Sequence, residues 1–298
     1  MDLPTFLIQL LNGVQYGLLL FLVSSGLTLV FGIMGIINIA HGSFYMIGAY
    51  LAWSLTGAIG SFWLAIPVGI LVSVAIGMLL EWLVIRWLYH RDHLYQVLLT
   101  YGLILVFEEL RSVIWGDDVR GVNIPQILSA SIPLTENQSY PVYRLWISAV
   151  CLVVAGLMYW VISRTRLGMT IRAGASNREM VQSLGINIEV VYRVVFAAGL
   201  TLAALAGMIA APVSAVFPGM GNQVLIVCFV VVVIGGMGSV KGALIASLLI
   251  GLVDTFGKVV SLEIGGVKLL PELSSMTVYV LMAAILLWRP EGLFGKKL

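Results

Sequence analysis

The chain has 298 residues, 60% of them hydrophobic and only 10% charged, with a formal net charge of +2. A water-soluble particle of this length would carry charge on roughly a quarter of its residues, so the composition, with a mean hydropathy of +1.06, is that of an integral membrane protein. The slight charge and the lack of a basic run exclude a nucleic-acid binder, while Cys151 and Cys228 inside apolar runs exclude a disulfide framework. His41, His90 and His93, with no Cys/His cluster, offer no zinc or iron site.

In chain order, Met1-Asp2 lacks the positive region of a signal peptide, so no cleavage is expected. A spanning helix needs about 20 mostly apolar residues. That length predicts nine segments, at 11–32, 37–58, 62–85, 94–115, 144–163, 190–211, 222–238, 241–259 and 274–288. The 222–238 run is short, and the joint at 32–37 is tight enough for the first two segments to be one re-entrant unit. The expectation is an all-α polytopic membrane protein of about eight or nine helices, one transmembrane domain over 1–298, with Gly-interrupted or re-entrant segments. The runs are too long and continuous for barrel strands.

The first polar constellation is Asn38-Ile-Ala-His41-Gly42-Ser43, at the start of an apolar span. Asn38 and His41 are three apart and predicted to share a helix face, and Gly42 lets a second backbone approach. Polar groups at membrane depth face a bundle interior or a cavity. The pair is thus either a gate element or an interhelical hydrogen bond that pins two helices. Glu81 is a lone charge near an apolar run, and the spacing of Glu108 and Arg111 predicts an internal ion pair. Residues 116–143, rich in turn formers, form an external loop.

Residues 164–189 are basic. Ser176 and Glu179 have capping-box spacing; Met180, Val181 and Leu184 then share an apolar face, and Gly185 is placed to end the helix in a left-handed conformation. A helix of about two turns is marginal alone. It docks on a partner or rests on the bilayer surface. Gly199, Ala203, Gly207 and Ala211 form a smooth ridge for helix packing. Gly235-Gly236-Met237-Gly238-Ser239 interrupts a helix, as a pathway element or a tight turn, and echoes Gly32-Ile-Met34-Gly35 as a possible repeat unit. Asp254 is the charge best placed to meet cargo or pathway water.

Charge placement sets orientation. Putting the 86–93 and 164–193 loops, the 241 turn and the C-terminus inside gives eleven of the 16 Lys and Arg to the cytoplasm, with the N-terminus outside and the C-terminus inside. Catalytic motifs are missing. The nearest approach to a phosphate loop, Gly251 to Val259, has one residue too many between its glycines and no Ser or Thr after Lys258. A chain of midplane carboxylates, as a proton pump needs, is missing too.

Four stretches together resemble the permease subunits of branched-chain amino acid ABC importers. They are Gly35 to Tyr50, the loop from Thr165 to Asn187, Gly235-Gly-Met-Gly-Ser239 with Gly242-Ala243, and Arg289-Pro-Glu-Gly-Leu-Phe-Gly295. The resemblance implies the ABC importer permease fold and a multi-pass place in the bacterial inner membrane. It implies alternating access driven by two cytoplasmic ATP-binding subunits, a second permease (a relative or a copy) and a periplasmic substrate-binding protein. ATP and Mg²⁺ would sit on the partners, this chain binding no cofactor and being no enzyme itself. Residues 164–189 would be the ATPase-coupling loop, with Arg172, Ala173, Ser176, Glu179, Met180, Val181, Leu184 and Gly185 carrying it. Read from the residues alone, Asn38, His41, Gly42, Gly235, Gly236, Gly238, Ser239 and Asp254 are the candidates for the pathway or gate, since the resemblance carries over no cargo-contacting residue. Val181 departs from the small alanine that often faces the ATPase in the family. Related permeases move urea, short amides or other small acids, and the rival outside the family is an autonomous carrier or channel.

Overall fold

The computed structural model describes residues 3–89, 91–135, 138–259, 263–264, 267–268 and 272–295. Met1-Asp2 and His90, read above in the signal-peptide and metal arguments, lie outside them, as do Asn137 of the 116–143 loop and Lys296 and Lys297 of the C-terminus. The described residues form eleven α-helices: α1 (Leu3–Met34), α2 (His41–Ile59), α3 (Phe62–Leu83), α4 (His93–Trp115), α5 (Val142–Arg164), α6 (Arg166–Ser176), α7 (Arg178–Ser183), α8 (Ile188–Ala210), α9 (Met220–Gly235), α10 (Val240–Val259) and α11 (Glu272–Trp288). Two 3-10 turns (Ile85–Leu88 and Gln126–Leu128) and two small antiparallel hairpins accompany them among the described residues: β1 (Ser131–Thr135) with β2 (Gln138–Pro141), and β3 (Glu263–Ile264) with β4 (Val267–Lys268).

Each predicted span coincides with one helix, and α6 and α7 are the two additions. By length and composition α1, α3, α5, α8 and α10 are apolar and long enough to cross a membrane. The chain is therefore a multi-pass membrane protein. At 16 residues, α9 is about 24 Å long and falls short of a hydrocarbon core of about 30 Å.

The 32–37 joint is re-entrant. Gly35 turns the chain in a left-handed conformation (φ +66°), and residues 35–40 climb back along α1 before α2 begins at His41. The His41 ring Nε2 lies 2.9 Å from the Val23 carbonyl, eleven residues before the end of α1, so α2 starts about 16 Å above that end. Non-helical backbone at this depth survives only if protein satisfies it. The Gln96 and Thr100 side chains of α4 accept from the Ile37 and Ile39 amides at 3.3 and 3.4 Å, and Asn38 Oδ1 accepts from the Ala40 amide at 3.1 Å.

α8 sits at the centre and packs on α1, α2 and α3, and α1 runs antiparallel along α10. The α8 ridge performs as its spacing predicts. A side chain on Gly207 would overlap the Tyr45 carbonyl of α2, and one on Gly48 would overlap the Ala204 carbonyl of α8. Such contact brings dispersion and backbone packing into a region where water exclusion drives nothing. The two ends of the bundle differ. One gathers the ends of α1, α5 and α9, the helices α6 and α7, and the segment 289–295. The other gathers the starts of α1 and α5 and the ends of α8 and α10. Near the C-terminal end of α4, Arg111 pairs with Glu108 at 3.5 Å as its spacing predicts, and with Asp117 at 2.8 Å. Hydrogen bonds from Arg111, then Ser112, hold the Asp117 carboxyl below the usual carboxylate range.

Candidate functional site

The basic loop is a pair of short helices folded against the end of α5. Thr165 caps α6, its hydroxyl accepting from the Gly168 amide at 3.2 Å, and a side chain on Gly168 would overlap the Ile162 carbonyl. Arg172 donates to that same carbonyl, so it caps the end of α5, where a cation meets the negative end of the helix dipole. Ala173, Ser176 and Glu179 are exposed.

The predicted capping box is displaced by one residue. Ser176 is the last residue of α6, and Asn177 caps α7, its Oδ1 accepting from the Met180 amide at 3.0 Å. Asn is at least the equal of Ser as a cap, and this choice lets Ser176 complete the preceding helix. The end of α7 is as predicted: Gly185 is left-handed (φ +80°), its amide bonds Gln182 O, and the Ile186 amide bonds Val181 O, the paired bonds of a Schellman motif.

The shared apolar face predicted for Met180, Val181 and Leu184 does not form. Val181 is 3% exposed and packs into the chain's own core, whereas Met180 is 59% and Leu184 72% exposed. A helix of six residues presents too few turns for one stripe, and each side chain takes the nearest surface. Val181 therefore anchors α7, and Met180 and Leu184 are left on the outside.

What lies behind the loop is rigid. Asn187 caps α8, accepting from the Glu189 and Val190 amides, so α7 runs into α8 through a short turn. Glu81 of α3, fully buried, receives Arg193 of α8 at 2.6 Å and also the Tyr89 hydroxyl. Burying a carboxylate demands such partners. Sequence reading left Glu81 unassigned because its charge partner, Arg193, lies on a distant helix; the structure makes it the clamp between α3 and the start of α8.

The second group is buried. Asn38 is not on the helix with His41 but in the turn before it, because Ala40 takes the cap position of α2. Its Nδ2 and His41 Nδ1 have no hydrogen-bond partner among the described residues. His41 Nε2 pins α2 to α1, and a side chain on Gly42 would overlap the Gly221 carbonyl at the start of α9. Gln96 and Thr100, which support this turn, were missed; polar residues four apart on an apolar helix were the available signal.

The third group is a tight turn. α9 ends at Gly235, the next backbone is carried by Gly236 (φ +93°) and Gly238 (φ +82°), and Ser239 Oγ accepts from the Gly242 amide at 3.1 Å. The amides of Leu293 and Phe294 bond the carbonyls of Ile234 and Gly235, so the C-terminal segment covers this turn. The two glycine motifs meet: a methyl on Gly32 would lie 2.8 Å from Gly238 Cα. Asp254 stands at the opposite end on α10, paired with Lys258 at 2.6 Å and lining a cavity of about 480 Å³. Among the described residues no three His, Cys, Asp or Glu are grouped to hold a metal ion.

The family described as "Branched-chain amino acid transport system / permease component" matches residues 9–286. The high-affinity branched-chain amino acid transport system permease protein BraD of Pseudomonas aeruginosa is 30% identical over 98% of this chain and 96% of its own length. The corresponding permease LivH of Escherichia coli is 27% identical over the same shares. A second permease of that system, LivM of Escherichia coli, is 28% identical over 90% of this chain and 66% of its own. No solved structure matches the chain.

Proposed function

The chain belongs to the family of permease components of branched-chain amino acid transport systems, and on that premise we propose that it is one of two permeases in an ATP-driven importer for branched-chain amino acids. It carries no ATPase chemistry; ATP and Mg²⁺ bind two cytoplasmic partners, and a periplasmic binding protein delivers cargo. The second permease is a relative, as the similarity to both LivH and LivM suggests. The membrane is the bacterial inner membrane, with the N-terminus and the 116–143 loop outside and residues 164–189 and the C-terminus inside.

The observation that supports coupling most directly is the surface of α7. Glu179, Met180 and Leu184 stand exposed on a helix whose own Val181 is anchored in the core. Exposed apolar side chains rimmed by polar ones mark a docking surface. When the ATP-binding subunits close, a push on α7 passes through the Asn187 turn to α8. The Glu81–Arg193 pair makes α3 follow, and the contacts of α8 with α1 and α2 carry the motion to the re-entrant turn. The two arrangements of these helices are the inward- and outward-open states of alternating access.

Purification of the tagged chain from mild detergent tests the assembly, and leucine uptake by the reconstituted complex tests the activity. Co-purifying P-loop subunits with ATP-dependent uptake is the expected result. A chain that purifies alone and moves solute without ATP overturns it in favour of a carrier.

A further inference from the structure

The end of the bundle away from α7 holds a cavity of about 480 Å³ between α1, α5, the end of α8 and α10. Its size falls in the ~300–1,000 Å³ range of small-molecule sites. Its walls are of two kinds. Leu19, Ile147 and Val213 make an apolar side. Facing into the same space are fixed charges of both signs, Arg144 and the Asp254–Lys258 pair.

Three observations set this cavity apart from an ordinary surface cleft. Arg144 is held in place by Asn12, Nη1 donating to Oδ1 at 2.7 Å, and by a hydrogen bond to the Tyr140 hydroxyl, and the donors of its fork not used there can take a carboxylate. Asp254 is 14% exposed and its partner Lys258 is 55% exposed. An ion pair with one flexible, solvated partner is weak and opens easily. Gln15, 8% exposed, lines the cavity beside Asn12 and adds a second side-chain amide to its polar wall.

We propose that this cavity is a receiving site for a zwitterionic aliphatic amino acid, with Arg144 binding the α-carboxylate, Asp254 the α-ammonium and the Leu19–Ile147 wall the branched side chain. The ligand ammonium displaces Lys258 from Asp254, and Lys258, released, adds its charge to the carboxylate end. No net charge is carried into the cavity, because the ligand brings one of each sign. The site rests on the importer reading for its cargo, but its chemistry asks only for a free amino and a free carboxyl group beside an apolar side chain.

The test is equilibrium binding of radiolabelled L-leucine to the purified permease complex without binding protein, beside leucine uptake by the complete reconstituted importer. L-leucine binding is expected, with leucinamide, which lacks the carboxylate, and 4-methylpentanoate, which lacks the ammonium, competing at least tenfold more weakly. Arg144→Gln and Asp254→Asn are each expected to weaken leucine binding tenfold or more. Arg144→Gln does not weaken the affinity for leucinamide, and Asp254→Asn, which frees Lys258 for the carboxylate end, does not weaken that for 4-methylpentanoate. The analogue competition needs no variant, so it holds even if a substitution disturbs folding. Equal competition by all three compounds, or normal leucine uptake in both variants, overturns the site and leaves the importer standing. A wild-type complex that moves no branched-chain amino acid overturns both.

Discussion

The re-entrant turn at 35–41 and the basic loop at 165–187 are two of the irregular stretches that carry the resemblance, and they solve opposite problems. In the turn the side chains of Ile36, Asn38, Ala40 and His41 are buried, and the amides of Ile37, Ile39 and Ala40 find protein acceptors. In the loop the backbone is equally well satisfied, by Thr165, Asn177 and Asn187, yet the side chains of Met180, Glu179 and Leu184 face out. Both have their backbone held by side chains, but only the loop turns large apolar side chains outward. Substitutions in the first should cost stability, and those on the exposed face of the second should cost coupling.

The largest expected effect lies where the turn's helix meets α8. Gly48→Leu would drive a side chain into the Ala204 carbonyl of a helix with no room to retreat. We expect a loss above ~3 kcal/mol and no monodisperse protein on size exclusion. Gly102→Leu on α4, where nothing lies within 4 Å, should purify as the wild type does. Next comes His41→Ala, which removes the α1–α2 pin and opens a cavity in a fully buried place. About 2–3 kcal/mol should be lost, seen as a lower melting temperature in detergent.

The loop should behave otherwise. Met180→Asp with Leu184→Asp changes two exposed side chains, so the melting temperature should hold, with a stability change within ~0.5 kcal/mol. Leucine transport by the reconstituted complex should fall about tenfold, near 1.4 kcal/mol of coupling. Glu179→Arg should act in the same direction. If the melting temperature fell and transport per folded molecule did not, the distinction between the two stretches would collapse.

How far the sequence revealed this depends on the range of the interactions. Long apolar runs are local signals, and all nine became helices, although α1 begins earlier than its apolar run, at Leu3. The Gly185 stop and the α8 ridge were legible because left-handed backbone and close approach each demand a residue without Cβ. Glu81–Tyr89–Arg193 and the support of residues 37–39 by Gln96 and Thr100 join residues distant in sequence, and no spacing rule reaches them. The residues grouped for a pathway or gate do not come together as a unit. Asn38 and His41 hold a turn, Gly235–Ser239 makes another, and Asp254 lines a cavity at the opposite end.

The smallest effect decides the finest point, where α7 begins. A capping box at Ser176 and an Asn cap one residue later have the same composition and differ only in which side chain accepts from the backbone. Because Asn177 Oδ1 takes the Met180 amide, Asn177→Ala should cost α7 about 1 kcal/mol, an increase of roughly fivefold in hydrogen exchange at the Val181 and Leu184 amides. Ser176→Ala should leave those amides unchanged, since the Ser176 side chain is exposed at the end of α6. A frayed α7 would still carry Met180 and Leu184 but no longer hold them at one angle to α8. Transport in Asn177→Ala should therefore fall by less than in the double aspartate variant, and raising the temperature should widen its deficit, because fraying grows with temperature and a missing contact does not.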